Sequence, residues 1–280
     1  MAMSKKARND TGFQIGIELV MLILLFFSFV PIFVMLIMSF KSNWEVYNDF
    51  FALPQKISWG NYVKAIIYLY INMGNTLFVV AVAVILTIIL SAIGGYVFAT
   101  MMFPGKTILY YMLLALIMIP SILYLAPNYS LIQKYGLYNT RWALILPWVS
   151  SGQVIGIILC KNTIEGLPVD LFEAAKVEGC GEIVVLTRIV VPLIKPMLST
   201  IAILKVVDYY NDFIWPMMVI ETNTKQVITV AVRVFNSAVG TQDIGSMFAG
   251  YVIATIPLLI LFMFTSRLYM EGLTAGAVKG

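Results

Sequence analysis

The chain has 280 residues, of which 61% are hydrophobic and 11% are charged, whereas a soluble domain carries about 25% charged residues. Together with a mean hydropathy of +0.92, this excludes a disordered protein, a fibrous protein and a water-exposed single domain, which would need more polar residues to coat its surface. The net charge of +4, from 18 basic and 14 acidic residues, is spread thinly and fits membrane topology better than nucleic-acid binding. The composition therefore indicates a polytopic membrane protein.

Two residue types restrict the chemistry. The sequence contains no histidine, which excludes a Ser-His-Asp triad, a histidine-ligated zinc ion and a histidine proton relay. The two cysteines, Cys160 and Cys180, lack Cys-x-x-Cys spacing and form neither a metal-cluster motif nor a disulfide framework. We interpret both as small buried hydrophobic residues.

The N-terminal residues 1–10 carry Lys5, Lys6 and Arg8 ahead of an apolar run. A signal peptide has an apolar core of about 7–15 residues followed by a small-x-small cleavage site. The run here is longer and is followed by no such site, so we expect an uncleaved first anchor. Because basic residues favour the cytoplasmic side, residues 1–16 are expected to form a cytoplasmic N-terminal segment.

Six segments are long and apolar enough to cross about 30 Å of hydrocarbon, which needs about 20 helical residues each. Helices are expected because each satisfies its own backbone in lipid. The fold class is therefore all-α, a polytopic membrane protein with a six-helix transmembrane domain over residues 17–268. Shorter apolar patches, such as residues 65–71, are interpreted as interfacial pieces. The predicted spans are residues 17–38, 76–101, 108–126, 142–160, 197–220 and 247–268.

The distribution of basic residues supports an orientation. With six spans and a cytoplasmic N-terminus, both termini are cytoplasmic. Ten Lys and Arg residues then lie inside and seven outside, with Lys205 inside the fifth span. This excess follows the positive-inside rule.

Two polar stretches separate the spans. The outside stretch, residues 41–75, interleaves Trp and Tyr with Asn, Lys and Pro, a composition suited to the headgroup interface. The inside stretch, residues 161–195, is called the inner loop below. It holds five of the 14 acidic residues.

The inner loop is predicted to contain a short amphipathic helix over residues 167–179. Pro168 suits a first helical turn, Asp170 favours the N-terminal end, and Gly179 is a natural stop. A second short helix is expected from residue 182 to residue 189, closed by Pro192. From the residues alone, the loop either packs on its own bundle or projects as a contact surface. The apolar side is expected to hold Leu167, Val169, Leu171, Phe172 and Ala175, with Glu173, Lys176 and Glu178 towards solvent.

The inner loop resembles the EAA motif of ABC importer permeases, which reads Glu-Ala-Ala, three residues, Gly, nine residues and Ile-x-Leu-Pro. The resemblance implies a coupling helix that docks in a cleft of an ATP-binding subunit. Glu173 is then the candidate for an ion pair with that subunit. The motif alanines are close-packing positions, and the glycine is the turn. The chain matches at Glu173, Ala174, Ala175, Gly179, Ile189 and Pro192 and departs at Val191, where leucine is usual.

Three further strings are similar to carbohydrate-importer permeases of the maltose-permease type. They are residues 133–140, 210–216 and 272–280, and they follow the same order along the chain. The resemblance implies the type I ABC importer permease fold, in the smaller second permease subunit of a binding-protein-dependent importer. It also implies a cytoplasmic tail, residues 269–280, that reaches the ATPase dimer through Thr274, Gly276 and Lys279.

The same resemblance implies the partners. These are a second permease subunit, two ATP-binding subunits, an extracytoplasmic sugar-binding protein and membrane lipid, without nucleic acid. The loop of residues 221–246, called the outer loop below, would touch the binding protein. No cofactor is expected in this chain, because ATP and Mg²⁺ would bind the partner ATPase. The expected location is a bacterial or archaeal cytoplasmic (inner) membrane.

Charges interrupt the fifth predicted span at Lys205, Asp208 and Asp212. An unpaired charge inside a membrane is costly, and steps of three and four place these residues on one helix face, where Lys205 can pair with Asp208. Two interpretations stay open: a buried ion pair that locks the bundle, or a hydrated passage for a polyhydroxylated substrate. The candidate pathway residues are Lys205, Asp208, Tyr209, Asn211, Asp212 and Trp215.

Small residues four apart, Gly152 with Gly156 and Ser91 with Gly95, allow close helix approach in lipid. Residues 105–107 resemble the end of a phosphate-binding loop but lack the glycine required at position 100. No nucleotide site is therefore expected in this chain.

The leading hypothesis is a non-catalytic permease subunit of an ATP-driven carbohydrate importer. The alternative is an autonomous ion-coupled transporter or channel that uses Lys205, Asp208 and Asp212 as its coupling site. The sequence has no evident internal repeat, which argues against the usual construction of such a transporter. An intramembrane enzyme is disfavoured because no pair of nucleophile and base is apparent.

Overall fold

The structure is a computed structural model that describes the backbone of residues 3–237 and 243–277 and the side chains of residues 13–235 and 243–265. The described residues form helices and connecting turns without any strand, which confirms the all-α fold class. The helices are α1 (Met3–Ser39), α2 (Asn43–Asn48), α3 (Gly60–Thr100), α4 (Lys106–Ile117), α5 (Leu125–Lys134), α6 (Trp142–Glu165), α7 (Val169–Val177), α8 (Glu182–Val184), α9 (Val191–Leu193), α10 (Lys195–Asn211), α11 (Ile214–Val219), α12 (Ile228–Ala231), α13 (Val234–Ser237) and α14 (Ile244–Ala277). Tighter 3₁₀ turns cover Ser121–Tyr124 and Asn223–Lys225, and a π-helix covers Val185–Val190.

Within the described residues, four helices are each long and apolar enough to cross a membrane. They are Phe13–Ser39, Gly60–Thr100, Trp142–Glu165 and Ile244–Thr265. Two bent pairs pass the same test together: Lys106–Ile117 with Ser121–Lys134, bent by 101°, and Glu182–Leu193 with Lys195–Asn211, bent by 76°. The predicted number of six spans is reached when each bent pair is counted as one span, although the second pair joins part of the inner loop to α10 and does not coincide with residues 197–220, the predicted fifth span.

Residues 65–71, interpreted from the sequence as an interfacial piece, are part of the continuous helix α3. The helix begins at Gly60 and runs unbroken for 41 residues, about 60 Å at 1.5 Å per residue. That is about twice the hydrocarbon thickness, so the helix extends well beyond one span. Ala65 and Leu69 are buried by packing against other residues.

Prolines mark where the third and fifth spans break. Helix α4 ends at Ile117, and the chain turns before Pro120, because the residue before a proline is disfavoured in a helix. The predicted continuous third span is therefore wrong beyond Ile117. Helix α10 ends at Asn211, and Pro216 lies in the first turn of α11, where its missing N–H removes no helical hydrogen bond. The predicted continuous fifth span is therefore two helices.

The chain divides into two compact units. The first is Met1–Leu69 with Val232–Thr255, and the second is Tyr70–Ala231 with Ile256–Gly280. The inner loop and all the candidate pathway residues lie in the second unit, which is therefore the unit that carries the candidate site.

In the first unit, a buried lysine organises the chain that follows α1. The Lys41 side chain is fully buried, and its ammonium donates to the backbone carbonyl oxygens of Asp49 and Phe50 at 2.6 and 2.9 Å. These carbonyls lie just after α2, so the cation satisfies acceptors that a helix end leaves free.

The start of α2 is fixed by a capping box. The Glu45 N–H donates to Ser42 Oγ, and Glu45 Oε2 accepts from the Ser42 N–H at 2.9 Å. Glu45 Oε1 also accepts from the Gln55 N–H at 2.8 Å. Hydrogen bonds from the Ser42 N–H and hydroxyl, and then from Gln55, hold the pKa of Glu45 below its ordinary value.

In the second unit, glycines bring α6 against α10 and α3. A β-carbon added at Gly152 would lie 1.9 Å from the Tyr209 hydroxyl oxygen, and one added at Gly156 would lie 1.9 Å from Ser91 Oγ. Only a hydrogen fits at either position. The close approach predicted from this pair of glycines is confirmed.

The other predicted small-residue contact joins α3 and α6. A β-carbon at Gly95 would lie 2.4 Å from Cys160 Cβ. Cys160 is fully buried, as predicted, whereas Cys180 is only half-buried. Cys160 therefore serves as a small packing residue between two spans.

Candidate functional site

The first helix of the inner loop, predicted over residues 167–179, is confirmed. Helix α7 follows Pro168, has Asp170 in its first turn and ends at Val177. The acidic residue lies at the end where the helix dipole is positive, which stabilises the helix.

The end of α7 is a glycine-dependent turn. Gly179 has a φ of +71°, a left-handed conformation that glycine adopts without steric cost. The Cys180 N–H donates to the Ala175 carbonyl at 3.0 Å, and the Gly179 N–H donates to the Lys176 carbonyl at 3.1 Å. These two hydrogen bonds form a Schellman motif, so the predicted turn at Gly179 is confirmed.

The Glu-Ala-Ala segment is split between surface and core. Glu173 and Ala174 are exposed, whereas Ala175 is buried in a cluster with Tyr96, Cys160 and other residues of the spans. Ala175 therefore anchors the helix to the bundle. The carboxylate of Glu173 stays available to another molecule.

Apolar side chains are also exposed on the inner loop. Val169, Val177 and Ile183 are 65%, 88% and 78% exposed. The expectation that Val169 and Leu171 belong to the buried side of α7 is wrong, because both are exposed, whereas Leu167, Phe172 and Ala175 pack in or against the core. Single exposed apolar residues are normal, but three within one short loop are typical of a contact surface.

The second helix of the inner loop is longer than predicted. Helical structure starts at Glu182, passes through the π-helix Val185–Val190 and continues through Pro192 to Leu193. The prediction that Pro192 closes this helix is wrong, because the wider π turn precedes it and relieves the crowding that a proline ring causes. The bend lies at Ile194 instead.

A hydrogen bond that sequence reasoning missed joins the inner loop to a membrane-spanning helix. The buried Tyr96 hydroxyl of α3 donates to the Glu182 carboxylate at the start of α8. No sequence signal indicates this pair, because the two residues are 86 positions apart. The inner loop is thus fixed to α3 by packing at Ala175 and by a charge-assisted hydrogen bond.

The predicted ion pair of the fifth span is confirmed. Lys205 Nζ lies 2.8 Å from Asp208 Oδ2. The lysine is buried, and 57% of the aspartate side chain is exposed. The pair therefore presents a carboxylate at the surface of α10 and keeps its counter-ion behind it.

Asp212 was predicted to share one helix face with Lys205 and Asp208, but it does not lie on α10. It follows the last residue of α10 in an extended conformation. Its Oδ2 accepts from Trp148 Nε1 at 2.7 Å, and its Oδ1 accepts from the Trp215 N–H at 3.2 Å. The carboxylate therefore ties the break of the fifth span to α6 and to the start of α11.

The predicted aromatic residues of the pathway are largely buried. Tyr209 and Trp215 are 5% and 4% exposed. The Tyr209 ring stacks on Trp148, with centroids 5.3 Å apart, and its hydroxyl donates to the Trp148 carbonyl at 2.6 Å. Trp215 Nε1 donates to the Ala143 carbonyl at 2.8 Å. These rings pack inside the protein, whereas Asn211 is exposed.

A cleft that sequence reasoning missed opens at the break of the third span. The part of it next to Asp212, called the inner part below, has a volume of about 240 Å³ and is lined by residues that include Ser121, Asn128, Trp148 and Asp212. Serine and asparagine inside an apolar run are the signal that could have indicated it.

At the other end of the second unit, side chains of α3 hold the start of the outer loop. The Asn72 amide donates to the Asn223 carbonyl, and the Asn75 amide donates to the Thr224 carbonyl, both at 2.7 Å. The apolar run of α3 is interrupted by these two asparagines, which have partners in the loop.

Asn139, in the string of residues 133–140, also positions the outer loop. It has a φ of +57°, and its side-chain oxygen accepts from the N–H groups of Glu221 and Thr222, each at 3.2 Å. This string therefore fixes the connection that follows α11.

The predicted ATPase-contacting tail lies at the edge of the described structure. The backbone of Thr274 and Gly276 belongs to α14, but the Thr274 side chain is outside the described residues. Lys279 is outside the described residues altogether.

Several apolar helices long enough to cross a membrane, with the inner loop packed against them, are typical of a multi-pass membrane protein. The family model described as "binding-protein-dependent transport system inner membrane component" matches residues 50–271. The chain belongs to this family.

Similar proteins and structures agree with this assignment. The chain is 30% identical over 263 residues to the arabinooligosaccharides transport system permease protein AraQ of Halalkalibacterium halodurans, covering 91% of this chain and 92% of AraQ. It is also 30% identical over 255 residues to the diacetylchitobiose uptake system permease protein NgcG of Streptomyces coelicolor, covering 89% of this chain and 84% of NgcG.

Among solved structures, the chain resembles one in a bacterial ABC transporter involved in the import of the acidic polysaccharide alginate. The TM-score is 0.83 at 20% identity, over 93% of this chain and 97% of the other. This likeness shows a shared fold, and it confirms the fold class of an ABC importer permease.

Proposed function

We propose that the chain is a transmembrane permease subunit of a binding-protein-dependent ABC importer for a carbohydrate. The family match over residues 50–271, together with an exposed glutamate on an anchored helix of the inner loop, carries the proposal. The carbohydrate class is supported by relatives named for arabinooligosaccharide and diacetylchitobiose transport.

In this proposal the chain is not an enzyme. It forms the translocation pathway with a second permease, and two partner ATP-binding subunits bind ATP and Mg²⁺. An extracytoplasmic binding protein delivers the sugar to the outer loop. The transmembrane domain covers residues 17–268, and both termini lie in the cytoplasm.

The inner loop transmits the energy of ATP hydrolysis. Glu173 forms an ion pair with the ATPase, and the exposed apolar residues of the loop fill the docking cleft around it. Because Ala175 is buried in the bundle and Glu182 is bonded to Tyr96, movement of the loop moves the spans with it. Closure of the ATPases therefore drives a rigid-body change between inward-open and outward-open states. The tail contributes Thr274, Gly276 and Lys279 to the same interface.

The substrate pathway runs along the polar side of the fifth span. Asp208 and Asn211 are exposed there and can bond to sugar hydroxyls. Lys205 lies behind and balances the charge of Asp208. Asp212, Tyr209 and Trp215 hold this surface in place through their hydrogen bonds to α6.

The test of the coupling role is Glu173→Lys. We expect this variant to insert into the membrane normally but to lose the co-purifying ATPase or its stimulation by substrate. The matched control is Glu178→Lys, which reverses an exposed charge at the C-terminal end of the same helix, where a cation suits the helix dipole. Equal ATPase assembly and transport in both variants would remove Glu173 from the coupling role. A chain that transports alone in proteoliposomes would instead support the ion-coupled alternative.

A further inference from the structure

The cleft at the break of the third span has the size and position of a ligand site. It lies between the 3₁₀ turn Ser121–Tyr124, α5 and α6, and its inner part reaches α11. The inner part of about 240 Å³ adjoins an outer part of about 460 Å³, and both are lined by Tyr124, Asn128 and Ser151. The outer part alone is within the range of about 300–1,000 Å³ that small-molecule sites occupy.

Polar side chains without partners converge on this cleft. Ser121, Tyr124, Asn128 and Ser150 all line it, and none makes a side-chain hydrogen bond to the part of the chain that the structure describes. Unpaired polar groups facing lipid are costly. Their convergence therefore indicates that the cleft faces water and a polar ligand.

The inner end of the cleft holds a fixed carboxylate. Asp212 accepts one hydrogen bond on each oxygen, from Trp148 and from Trp215. A carboxylate has about four acceptor positions, so it can accept further hydroxyl groups without moving. Ile122 and Ile214 give the same wall an apolar surface. Hydroxyl donors on a ring with apolar C–H faces, as in a sugar, match this combination.

The charge of the cleft restricts the sugar further. Asp212 is the acidic residue of the lining, and neither a lysine nor an arginine is among the residues that line either part. A second carboxylate brought close to Asp212 would be repelled. We infer that the cleft is a carbohydrate subsite of the translocation pathway that accepts neutral sugars and disfavours acidic ones. The inference rests on the proposed function and deepens it. The chain shares its fold with a subunit of an importer of the acidic polysaccharide alginate, but the inferred substrate of this chain is a neutral sugar.

The experiment measures protection of a cysteine in the cleft. Ser151→Cys places a thiol on the exposed lining. Ser130→Cys is the matched control, because Ser130 is exposed on α5 and is not part of the lining. Both variants carry Cys180→Ser, and the buried Cys160 is kept. The complete complex, with its ATPases and binding protein, is reconstituted in liposomes and treated with a membrane-impermeant methanethiosulfonate.

Maltotriose, arabinotriose and diacetylchitobiose are the neutral probes, and trigalacturonate is the acidic probe. We expect a neutral sugar that the complex imports to slow labelling at position 151 about tenfold when present at about ten times its Kd, because only the unoccupied fraction reacts. Labelling at position 130 should not change. Trigalacturonate should give no protection. Asp212→Asn should allow it to protect, since asparagine has no carboxylate and its single amide oxygen can still accept from Trp148, although the acceptor for the Trp215 N–H is then lost.

The outcomes separate this inference from the proposed function. If the complex imports no carbohydrate, the proposed function fails. If it imports one of the neutral sugars but position 151 is unprotected or unreactive, the subsite is overturned and the function stands. Equal protection by trigalacturonate in the Ser151→Cys protein overturns the preference for neutral sugars, and this result does not depend on the folding of the Asp212→Asn variant.

Discussion

The contact between α6 and α10 makes a quantitative prediction for Gly152→Ala. The new β-carbon would lie 1.9 Å from the Tyr209 hydroxyl oxygen and 3.1 Å from Cζ, so the phenol must move by about 1 Å or more. The movement strains the packing, at a cost of about 1–3 kcal/mol. It also breaks the hydrogen bond to the Trp148 carbonyl, which is worth about 1–3 kcal/mol when a buried group loses its partner.

The two costs sum to about 2–6 kcal/mol, and the helix preference of alanine over glycine, about 1 kcal/mol, reduces the expected loss to about 1–5 kcal/mol. This loss should appear as a fall in the midpoint of thermal unfolding of at least about 2 °C. The measurement is size-exclusion chromatography of the heated, detergent-solubilised protein. Gly74→Ala is the control, because a β-carbon there meets no atom within 4 Å. Alanine favours a helix by about 1 kcal/mol over glycine, so this variant should be at least as stable as the unmodified protein.

A double-mutant cycle tests the assigned cause. In a Tyr209→Phe background the clashing oxygen is absent, so Gly152→Ala should cost at least about 1 kcal/mol less than in the unmodified protein. If the cost is the same in both backgrounds, or if Gly152→Ala is as stable as Gly74→Ala, the packing described for α6 and α10 is refuted.

Three further variants test other parts of the molecule. Gly179→Ala forces alanine into a left-handed conformation and should destabilise the end of α7 by about 1–2 kcal/mol. The measurement is hydrogen exchange of the inner loop, which should become faster. Gly181→Ala is the control and should not change the exchange, because Gly181 has a φ of −72° and open space around it. Tyr96→Phe removes the hydrogen bond to Glu182 and should lower the amount of substrate moved per ATP while the ATPase still co-purifies; an unchanged ratio would contradict the role of this bond. The pKa of Glu45 is held below its ordinary value of 4.5, so the ionised carboxylate stabilises the loop after α1 at any pH above 4.5. This contribution should be lost as the pH falls through the lowered pKa, and limited proteolysis should show the loss. Glu45→Gln should abolish the pH dependence.

Local patterns predicted the parts of the structure that depend on neighbouring residues. The helix of the inner loop, its stop at Gly179 and the pairing of Lys205 with Asp208 each follow from short-range spacing. The close approach at Gly152 and Gly156 was also predictable, because a small residue at every fourth position leaves a flat helix surface.

The errors arose where distant residues decide the conformation. The side-chain amides of Asn72 and Asn75 donate to carbonyls of the outer loop, about 150 positions away, and composition does not contain that information. Asp212 follows the end of α10 and accepts from Trp148, 64 positions away, a contact that its own neighbours do not indicate. Pro192 continues a helix because a π turn precedes it. The cleft was missed for the same reason, since it exists only where two separate breaks meet.

Helix α3 links the two ends of the second unit mechanically. Near its Asn72 turn it is bonded to the outer loop, and at Tyr96 it is bonded to the inner loop. The intervening turns are unbroken and span about 36 Å at 1.5 Å per residue. A continuous helix is stiff along its axis, so a displacement of one end of this segment is transmitted to the other end without a hinge. Replacing a residue midway along this segment with proline, which interrupts a helix, would weaken the mechanical connection between the outer loop and the inner loop without removing any of the contacting residues.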